Sequence, residues 1–278
     1  TGIVPLSWEF LKAQGQAVAI LQTHYHHDHT QGLPLSAFPF IKKVPVNVFG
    51  PFEHGIGPRQ VYEQLMMPPF FPVHYREVGS HITCHDIQFP NTTVLLVHPQ
   101  GGMKQLTLEE YERLTVAGRQ IPFKSGKFAA TECLTVRMHR SNHPEQTISY
   151  RFEEGPTGKV FVFVTDHENQ DGIPTSFRAH VKGADLLVAD CQYTRAKYDA
   201  FTAGWGHGTP DYVTRLARET GAKVLGLTHH DPASTDGVID GIVQTAREAL
   251  AGTDITVFGC MDYQEVEVGT ASEGAAAA

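Results

Sequence analysis

The chain has 278 residues, 41% of them hydrophobic and 19% charged, which fits one large or two small globular domains with a sizeable core. Its formal net charge of −8 argues against a polyanionic partner that is held mainly by counterion release. No stretch approaches the roughly 18 consecutive apolar residues of a transmembrane helix.

Short apolar runs alternate with amphipathic stretches in the first half of the chain, which predicts an α/β fold. Strands are predicted at 16–23, 44–51, 93–99, 133–140 and 147–152. A short helix is predicted at 59–66, and the proline-punctuated stretch 66–75 is predicted to be a loop. A further helix at 107–118 begins at Thr107, and Glu110 three residues later completes a capping-box spacing.

Strands and helices alternate more regularly after residue 155. Strands are predicted at 159–168, 184–194, 223–232 and 254–259. Helices are predicted at 209–222, with Thr209 as its cap and Gly221 as its stop, and at 234–252. The low-complexity tail 269–278 is predicted to be disordered. Polar clusters recur where strands end, and open α/β sheets hold their functional sites at that edge.

The stretch LQTHYHHDHTQG (21–32) places four histidines and one aspartate within six positions, in a chain that has 16 histidines in all. His24 and His26 are alternate residues directly after a predicted strand, so their side chains point the same way in an extended chain. Asp28 and His29 follow on a turn. Neutral imidazoles and carboxylates are the ligands that zinc and similar divalent ions prefer. The alternative is a solvated polar loop.

The pattern His24-x-His26-x-Asp28-His29 resembles the hallmark motif of the metallo-β-lactamase superfamily. Later segments resemble that family in the expected order. They are NHPEQTISYRF with His143, VFVTDHE with Asp166 and GLTHHDP with His229. The resemblance implies an αββα sandwich, in a single domain over 1–268 with an inserted rim or lid around 66–130.

The same resemblance implies two divalent metal ions, with zinc favoured and manganese or iron as alternatives. One ion would be held by His24, His26, His143 and Asp166, and the other by Asp28, His29, Asp166 and His229. His230 is the alternative to His229, and His27 is predicted to lie outside the ligand set. For His143 the alternative is a loop histidine, and for Asp166 it is a helix cap.

The segment GWGHGTPDYVTRLARETGAKVLGLTHHDP (204–232) resembles the ribonuclease Z and phosphodiesterase branch of the superfamily. A "GHST"-like turn in that branch matches His207, which is followed by Thr209 at a helix start. The resemblance implies that His207 contacts the substrate phosphate and protonates the leaving oxygen, a role that suits a group titrating near neutral pH. The alternative is a structural loop histidine. Asp190, at the end of a predicted strand, is predicted to orient a ligand or His207.

The predicted reaction is phosphodiester hydrolysis by attack of a metal-bridging hydroxide, which Asp28 would help to orient. The acidic chain favours a small or cyclic nucleotide-like substrate over a large nucleic acid, and a homodimer is possible. Aromatic residues could line the substrate pocket, although core packing is their usual role. They are Phe70, Phe71, Tyr75 and Trp205. The alternative functions are a lactonase or β-lactamase-like hydrolase and a metal-binding regulatory protein without turnover.

The start of the chain departs from this branch, whose members begin with a strand hairpin and a strand ending in "DAGTG". Here the chain opens at TGIVPLSWEF, which indicates either a truncated N-terminus or an unusual order of elements. Four cysteines lie far apart without a CxxC pair, which favours free thiols in a reducing compartment. They are Cys84, Cys133, Cys191 and Cys260. A cytoplasmic location is therefore favoured.

Overall fold

The computed structural model describes residues 2–89, 93–168 and 172–269, so residues 270–278 of the predicted disordered tail lie outside the described residues. The chain divides into two compact units, Thr1–Pro90 and Asn91–Ala278. The single domain over 1–268 and its rim around 66–130 stay predictions. No helix in the described ranges is both long and apolar enough to cross a bilayer.

In the first unit, parallel strands form a sheet in the order β1–β2–β3. The strands are β1 (Val18–Leu21), β2 (Val46–Pro51) and β3 (Ile82–Ile87). The helices are α1 (Ile3–Lys12), α2 (His27–Thr30), α3 (Gly32–Leu35), α4 (Pro58–Leu65) and α5 (Tyr75–Val78). The central strand β2 is covered on both faces, and Val46 and Val48 pack with Tyr62 and Met66 in a fully buried core.

Helix α1 occupies the start of the chain, where the sequence pattern assigned no helix. Ile3, Leu6 and Phe10 follow one another at helical spacing, and the first and last of them pack against the core of the first unit. The opening residues therefore form a helix whose apolar stripe covers the sheet.

The second unit holds a larger mixed sheet and further helices. Its strands are β4 (Thr93–His98), β5 (Gly102–Thr107), β6 (Ile121–Phe123), β7 (Gly126–Phe128), β8 (Leu134–Ser141), β9 (Thr147–Glu154), β10 (Val160–Val164), β11 (Leu186–Asp190), β12 (Val224–Thr228) and β13 (Thr256–Gly259). Its helices are α6 (Leu108–Val116), α7 (Thr175–Val181), α8 (Arg195–Lys197), α9 (Pro210–Thr220) and α10 (Asp236–Ala249).

The large sheet runs in the order β13–β12–β11–β10–β9–β8–β4–β5. Strands β10 to β13 are parallel, whereas β9, β8, β4 and β5 continue the sheet with antiparallel pairing. Leu186 of β11 pairs with Phe161 of β10 and with Val224 of β12, so the parallel strands begin at one level. Their carboxyl ends consequently meet at one edge, where loops deliver polar side chains.

Helices α7, α9 and α10 provide the apolar side chains that cover this sheet, including Phe177, Leu216 and Ala246. Helix α9 ends as predicted at Gly221, whose left-handed φ of 69° suits a residue without a Cβ. Thr209 occupies the N-cap position as predicted, although its side chain makes no capping hydrogen bond. The helix instead begins with proline at its first position.

The capping box of α6 is confirmed, because the Glu110 amide donates to Thr107 Oγ1 at 3.1 Å and the Thr107 amide donates to Glu110 Oε2 at 3.0 Å. Three predicted strands, 159–168, 184–194 and 223–232, are shorter than expected. They end at Val164, Asp190 and Thr228 because the chain turns directly afterwards. Strands β3 and β5 and the β6–β7 hairpin were not predicted.

Candidate metal centre

The histidine-rich stretch lies directly after β1 and runs into helix α2. His24 is buried and its Nδ1 lies 3.2 Å from Thr23 Oγ1, whereas His26 is exposed at the N-cap position of the helix. His24 and His26 each offer a ligand atom within 4.8 Å of the other, and their ring centroids are 4.4 Å apart. The alternating spacing in the sequence therefore brings two imidazoles together, as predicted from an extended chain.

Asp28 and His29 form a second pair in the same turn. The Asp28 carboxylate Oδ2 lies 3.1 Å from His29 Nε2, and the His29 ring centroid lies 4.3 Å from that of His24. Asp28 sits in the first turn of α2, where the helix N-terminus favours a negative charge. His27 begins this helix and is exposed. The first unit thus presents a donor set of three imidazoles and one carboxylate, the chemistry that suits zinc.

In the second unit, Asp166, His207 and His229 come together. Each offers one ligand atom, and these atoms lie within 4.8 Å of one another. The His229 Nε2 lies 3.3 Å from Asp166 Oδ1, and the rings of His207 and His229 stack with centroids 5.0 Å apart. Residue 166 follows β10 and residue 229 follows β12, so the shared edge of parallel strands delivers both.

The backbone is left-handed at both strand-end residues, with φ of 51° at Asp166 and 60° at His229. Residues with a Cβ seldom adopt this conformation, and such strain concentrates at functional sites. The turn at each residue ends the strand and holds its side chain at the sheet edge. This geometry also explains why the predicted strands 159–168 and 223–232 are too long.

His143 lies in the loop between β8 and β9 and is buried. Its Nδ1 lies 3.0 Å from the carbonyl oxygen of Gly206, to which it donates. One of its ring nitrogens lies within 4.8 Å of the Asp166 carboxylate. A donating Nδ1–H leaves Nε2 as the nitrogen that can bind a metal, so the tautomer suits the predicted ligand role.

Asp190 is fully buried at the end of β11, and its Oδ2 accepts a hydrogen bond from His207 Nδ1 at 2.9 Å. Its carboxylate also accepts from the backbone amides of Gln192 at 3.0 Å and His167 at 3.3 Å. Burial raises the pKa of the Asp190 carboxyl, although the His207 hydrogen bond acts in the opposite direction. The structure therefore brings Asp190 to His207, the contact that the sequence predicts.

Sequence reasoning missed Gln192, whose side-chain amide lies 2.7 Å from His229 Nδ1. If His229 binds a metal through Nε2, its Nδ1 carries the proton, and the amide must present its oxygen. No local pattern marks this glutamine, because the contact depends on neighbouring strands. Gln192 is thus a candidate for fixing the orientation of the His229 ring.

Sequence reasoning also missed His167, a buried residue whose ring stacks on Phe177 with centroids 4.2 Å apart. The Asn142 amide donates to His167 Nδ1 at 3.1 Å, so Nε2 carries the proton and donates to the Tyr212 hydroxyl at 2.8 Å. Burial lowers the pKa of His167 to about 3, which keeps the ring neutral. His167, next to Asp166 in the chain, is therefore held in place as a neutral ring and does not serve as an acid or base.

The remaining predicted residues of the second unit lie around this site. Thr209 is buried at the start of α9. Trp205 is 58% exposed and meets the ring of Tyr193 edge-on, with centroids 6.4 Å apart. His230 Nε2 lies 3.3 Å from the Cys260 carbonyl oxygen. The structure therefore places His229, and not His230, beside Asp166.

The aromatic candidates of the first unit divide between surface and core. Phe70 is 81% exposed, whereas Tyr75 is buried and Phe71 packs against the same core. The Tyr75 hydroxyl also contacts Cys84 Sγ at 3.7 Å. Core packing thus accounts for Tyr75 and Phe71.

Comparisons with known proteins agree with this chemistry. A family model described as "Beta-lactamase superfamily domain" matches residues 7–230. A ribonuclease Z from Brevibacillus brevis is 25% identical over 228 residues, 78% of this chain and 69% of the relative. A probable metallo-hydrolase, YhfI, from Bacillus subtilis is 25% identical over 237 residues, 84% of this chain and 73% of the relative.

Among solved structures, the short form of human tRNase Z has a similar fold. The TM-score is 0.54 at 18% sequence identity, and the match covers 90% of this chain and 78% of that chain. The predicted α/β fold of the metallo-β-lactamase type is confirmed by this likeness, together with the large mixed sheet and its helices.

Proposed function

The chain belongs to the β-lactamase superfamily, and we propose that it is a metal-dependent hydrolase that cleaves a small phosphodiester. The chain is similar to a ribonuclease Z, an enzyme named for its action on RNA, which supports a phosphoester substrate. It is also similar to a protein named as a probable metallo-hydrolase, which supports metal-dependent hydrolysis.

The proposed metal ligands are those that the family resemblance implies. One ion would be held by His24, His26, His143 and Asp166, and the other by Asp28, His29, Asp166 and His229. Support comes from the order of these residues along the chain and from the grouping of donors within each unit. When bound, two divalent ions, preferably zinc, polarise the phosphate and activate the water that acts as nucleophile. The Asp28 carboxylate would accept a hydrogen bond from that water and orient it.

The contact between His207 and Asp190 is the observation that carries the proposal. The His207 Nδ1–H donates to the buried Asp190 carboxylate at 2.9 Å, which fixes the orientation of the ring. A proton on Nε2 is then the one that His207 can transfer to the leaving alkoxide. Hydrolysis of a phosphodiester that expels an alkoxide needs such an acid.

A cavity of about 360 Å³ beside His207 supports a small substrate. The walls combine arginines with carboxylates, and the Arg195 guanidinium pairs with Asp199 at 2.8 Å. Arg215 and the ring of Tyr212 are therefore the cationic and aromatic groups that a nucleotide-like leaving group could meet. The volume falls at the lower end of the range that small-molecule sites occupy. Trp205, which is exposed nearby in sequence, is the candidate for stacking on a base.

The test compares the zinc-loaded native enzyme with His207→Ala on a 3′,5′-cyclic nucleotide, whose leaving group is an alkoxide, and on a lactone. We expect phosphodiester hydrolysis by the native enzyme, and a loss of about 100-fold or more in His207→Ala at unchanged metal content. His27→Ala makes the same substitution at an exposed histidine outside the proposed ligand set. It is the control and should keep the native rate. Absence of phosphodiester hydrolysis in the fully metal-loaded native enzyme would refute the proposal.

A further inference from the structure

Glu168 is a buried carboxylate that lies outside the predicted site residues. It is 6% exposed and accepts three hydrogen bonds from a single segment of the chain, residues 198–206. Oε1 accepts from the Tyr198 hydroxyl and from the Gly204 amide at 2.8 Å, and Oε2 accepts from the Gly206 amide at 2.7 Å. One side chain therefore satisfies donors on both sides of Trp205 and immediately before His207.

The segment that Glu168 holds passes close to His143 and Asp190. A Cβ at Gly206 would lie 2.0 Å from His143 Nδ1, and a Cβ at Gly208 would lie 2.2 Å from the Asp190 carbonyl oxygen. The Gly206 carbonyl accepts the His143 Nδ1–H at 3.0 Å. His207 therefore lies between two glycines, Gly206 and Gly208, whose backbones pass close to His143 and Asp190.

Glu168 is itself fixed to the rest of the second unit. Its backbone amide donates to the Asn142 carbonyl at 2.8 Å, and the Asn142 side-chain amide donates to the Glu168 carbonyl at 2.6 Å. The chain of contacts runs from the loop after β8, through Glu168, to the segment that ends at His207. A carboxylate suits this place because hydrogen bonds to a charged acceptor are roughly twice as strong as neutral ones.

We propose that Glu168 is a positioning residue that holds the loop 198–206 so that His207 stays aligned for proton transfer. The inference rests on the role proposed above for His207. The three hydrogen bonds described above connect the Glu168 carboxylate to that loop on both sides of Trp205. A loop that carried His207 without this anchor would sample many orientations, of which few are productive.

The first test measures the anchor itself, without reference to activity. In Glu168→Gln, either orientation of the amide places its NH₂ group against a glycine N–H, so Gly204 or Gly206 loses its acceptor. We expect amide hydrogen exchange over 204–206 to become about 10- to 100-fold faster. The control is Glu153→Gln, which removes another part-buried carboxylate that pairs with arginines. Unchanged exchange in folded Glu168→Gln would overturn the proposal.

The second test measures whether Glu168 acts through His207. With the metal content matched, Glu168→Gln should lower kcat for the phosphodiester about 10- to 100-fold and change KM less than twofold. The same change made in His207→Ala should lower the rate no further, and additive losses would overturn the proposal. Tyr198→Phe removes only one of the three donors to Glu168 and should give a smaller loss of kcat. This variant provides the same test if Glu168→Gln folds poorly. If His207→Ala alone retains the native rate, the proposed function of His207 fails, while the exchange result still reports on the anchor.

Discussion

Replacing His180 by glutamine should make the free energy of unfolding less sensitive to acid. His180 lies in α7, is 8% exposed, and its ring centroid is 5.3 Å from that of His139. Its Nε2 is buried without a hydrogen-bond partner among the described residues. Burial lowers the pKa of His180 to about 3, with smaller contributions from His139, Arg151 and Arg137 that act in the same direction.

The sign of the effect follows from proton binding in the two states. The unfolded chain binds a proton at His180 below a pKa of about 6.5, whereas the folded chain stays neutral down to about 3. The stabilising contribution of the neutral ring is therefore complete above pH 6.5 and is lost as the pH falls toward 3. The difference between the two pKa values corresponds to roughly 5 kcal/mol over the whole range, and to about 2 kcal/mol between pH 7.5 and pH 5.0.

Urea unfolding of metal-free protein at pH 7.5 and pH 5.0 measures this contribution directly. The native chain should lose about 2 kcal/mol more than His180→Gln between the two pH values, because the variant keeps every other titrating group. His54→Gln is the control, since the His54 side chain is 87% exposed. Equal losses in the native chain and in His180→Gln would refute the reasoning.

Three further predictions concern single contacts. Gln192→Leu should weaken metal binding about 10- to 100-fold, because the His229 ring loses its orienting partner. Competition with a chromophoric chelator measures the affinity, and equal metal affinity in the native chain and the variant would contradict this. Gly204→Ala and Gly206→Ala each place a Cβ at positive φ, which should lower the free energy of unfolding in urea by about 1–2 kcal/mol. Only the Cβ at Gly206 collides with a neighbouring ring, that of His143. Gly206→Ala should therefore also abolish most activity, whereas Gly204→Ala should not. Thr107→Ala should lower the free energy of unfolding by about 1 kcal/mol through loss of the α6 cap, with an unchanged rate.

The sequence predicted the fold and the residues of the candidate site where local patterns carry the information. His24 and His26 alternate after a strand, and Asp166 and His229 follow apolar runs whose parallel pairing brings their ends together. These patterns rest on the periodicity of a strand and on the geometry of a parallel sheet. The assignment of ligands to two ions stays a prediction.

Other features depend on contacts that no local pattern contains. Glu168 meets the Tyr198 hydroxyl 30 positions later and the Gly206 amide 38 positions later, and Gln192 meets His229 37 positions later. A buried glutamate and a glutamine acquire their roles only when distant loops close around them. The helix at the start of the chain was not predicted for a different reason, since the family resemblance implies a strand motif in this region, whereas Ile3 begins a helix.

The left-handed backbone at residues 166 and 229 has a consequence for selection experiments. Glycine, which has no Cβ, would occupy these two positions with less steric cost than aspartate or histidine. A library of variants screened for thermal resistance alone should therefore accumulate replacements at Asp166 and His229 early. A screen for turnover would reject the same replacements, so selection for thermal stability and selection for activity would favour different residues at these two positions.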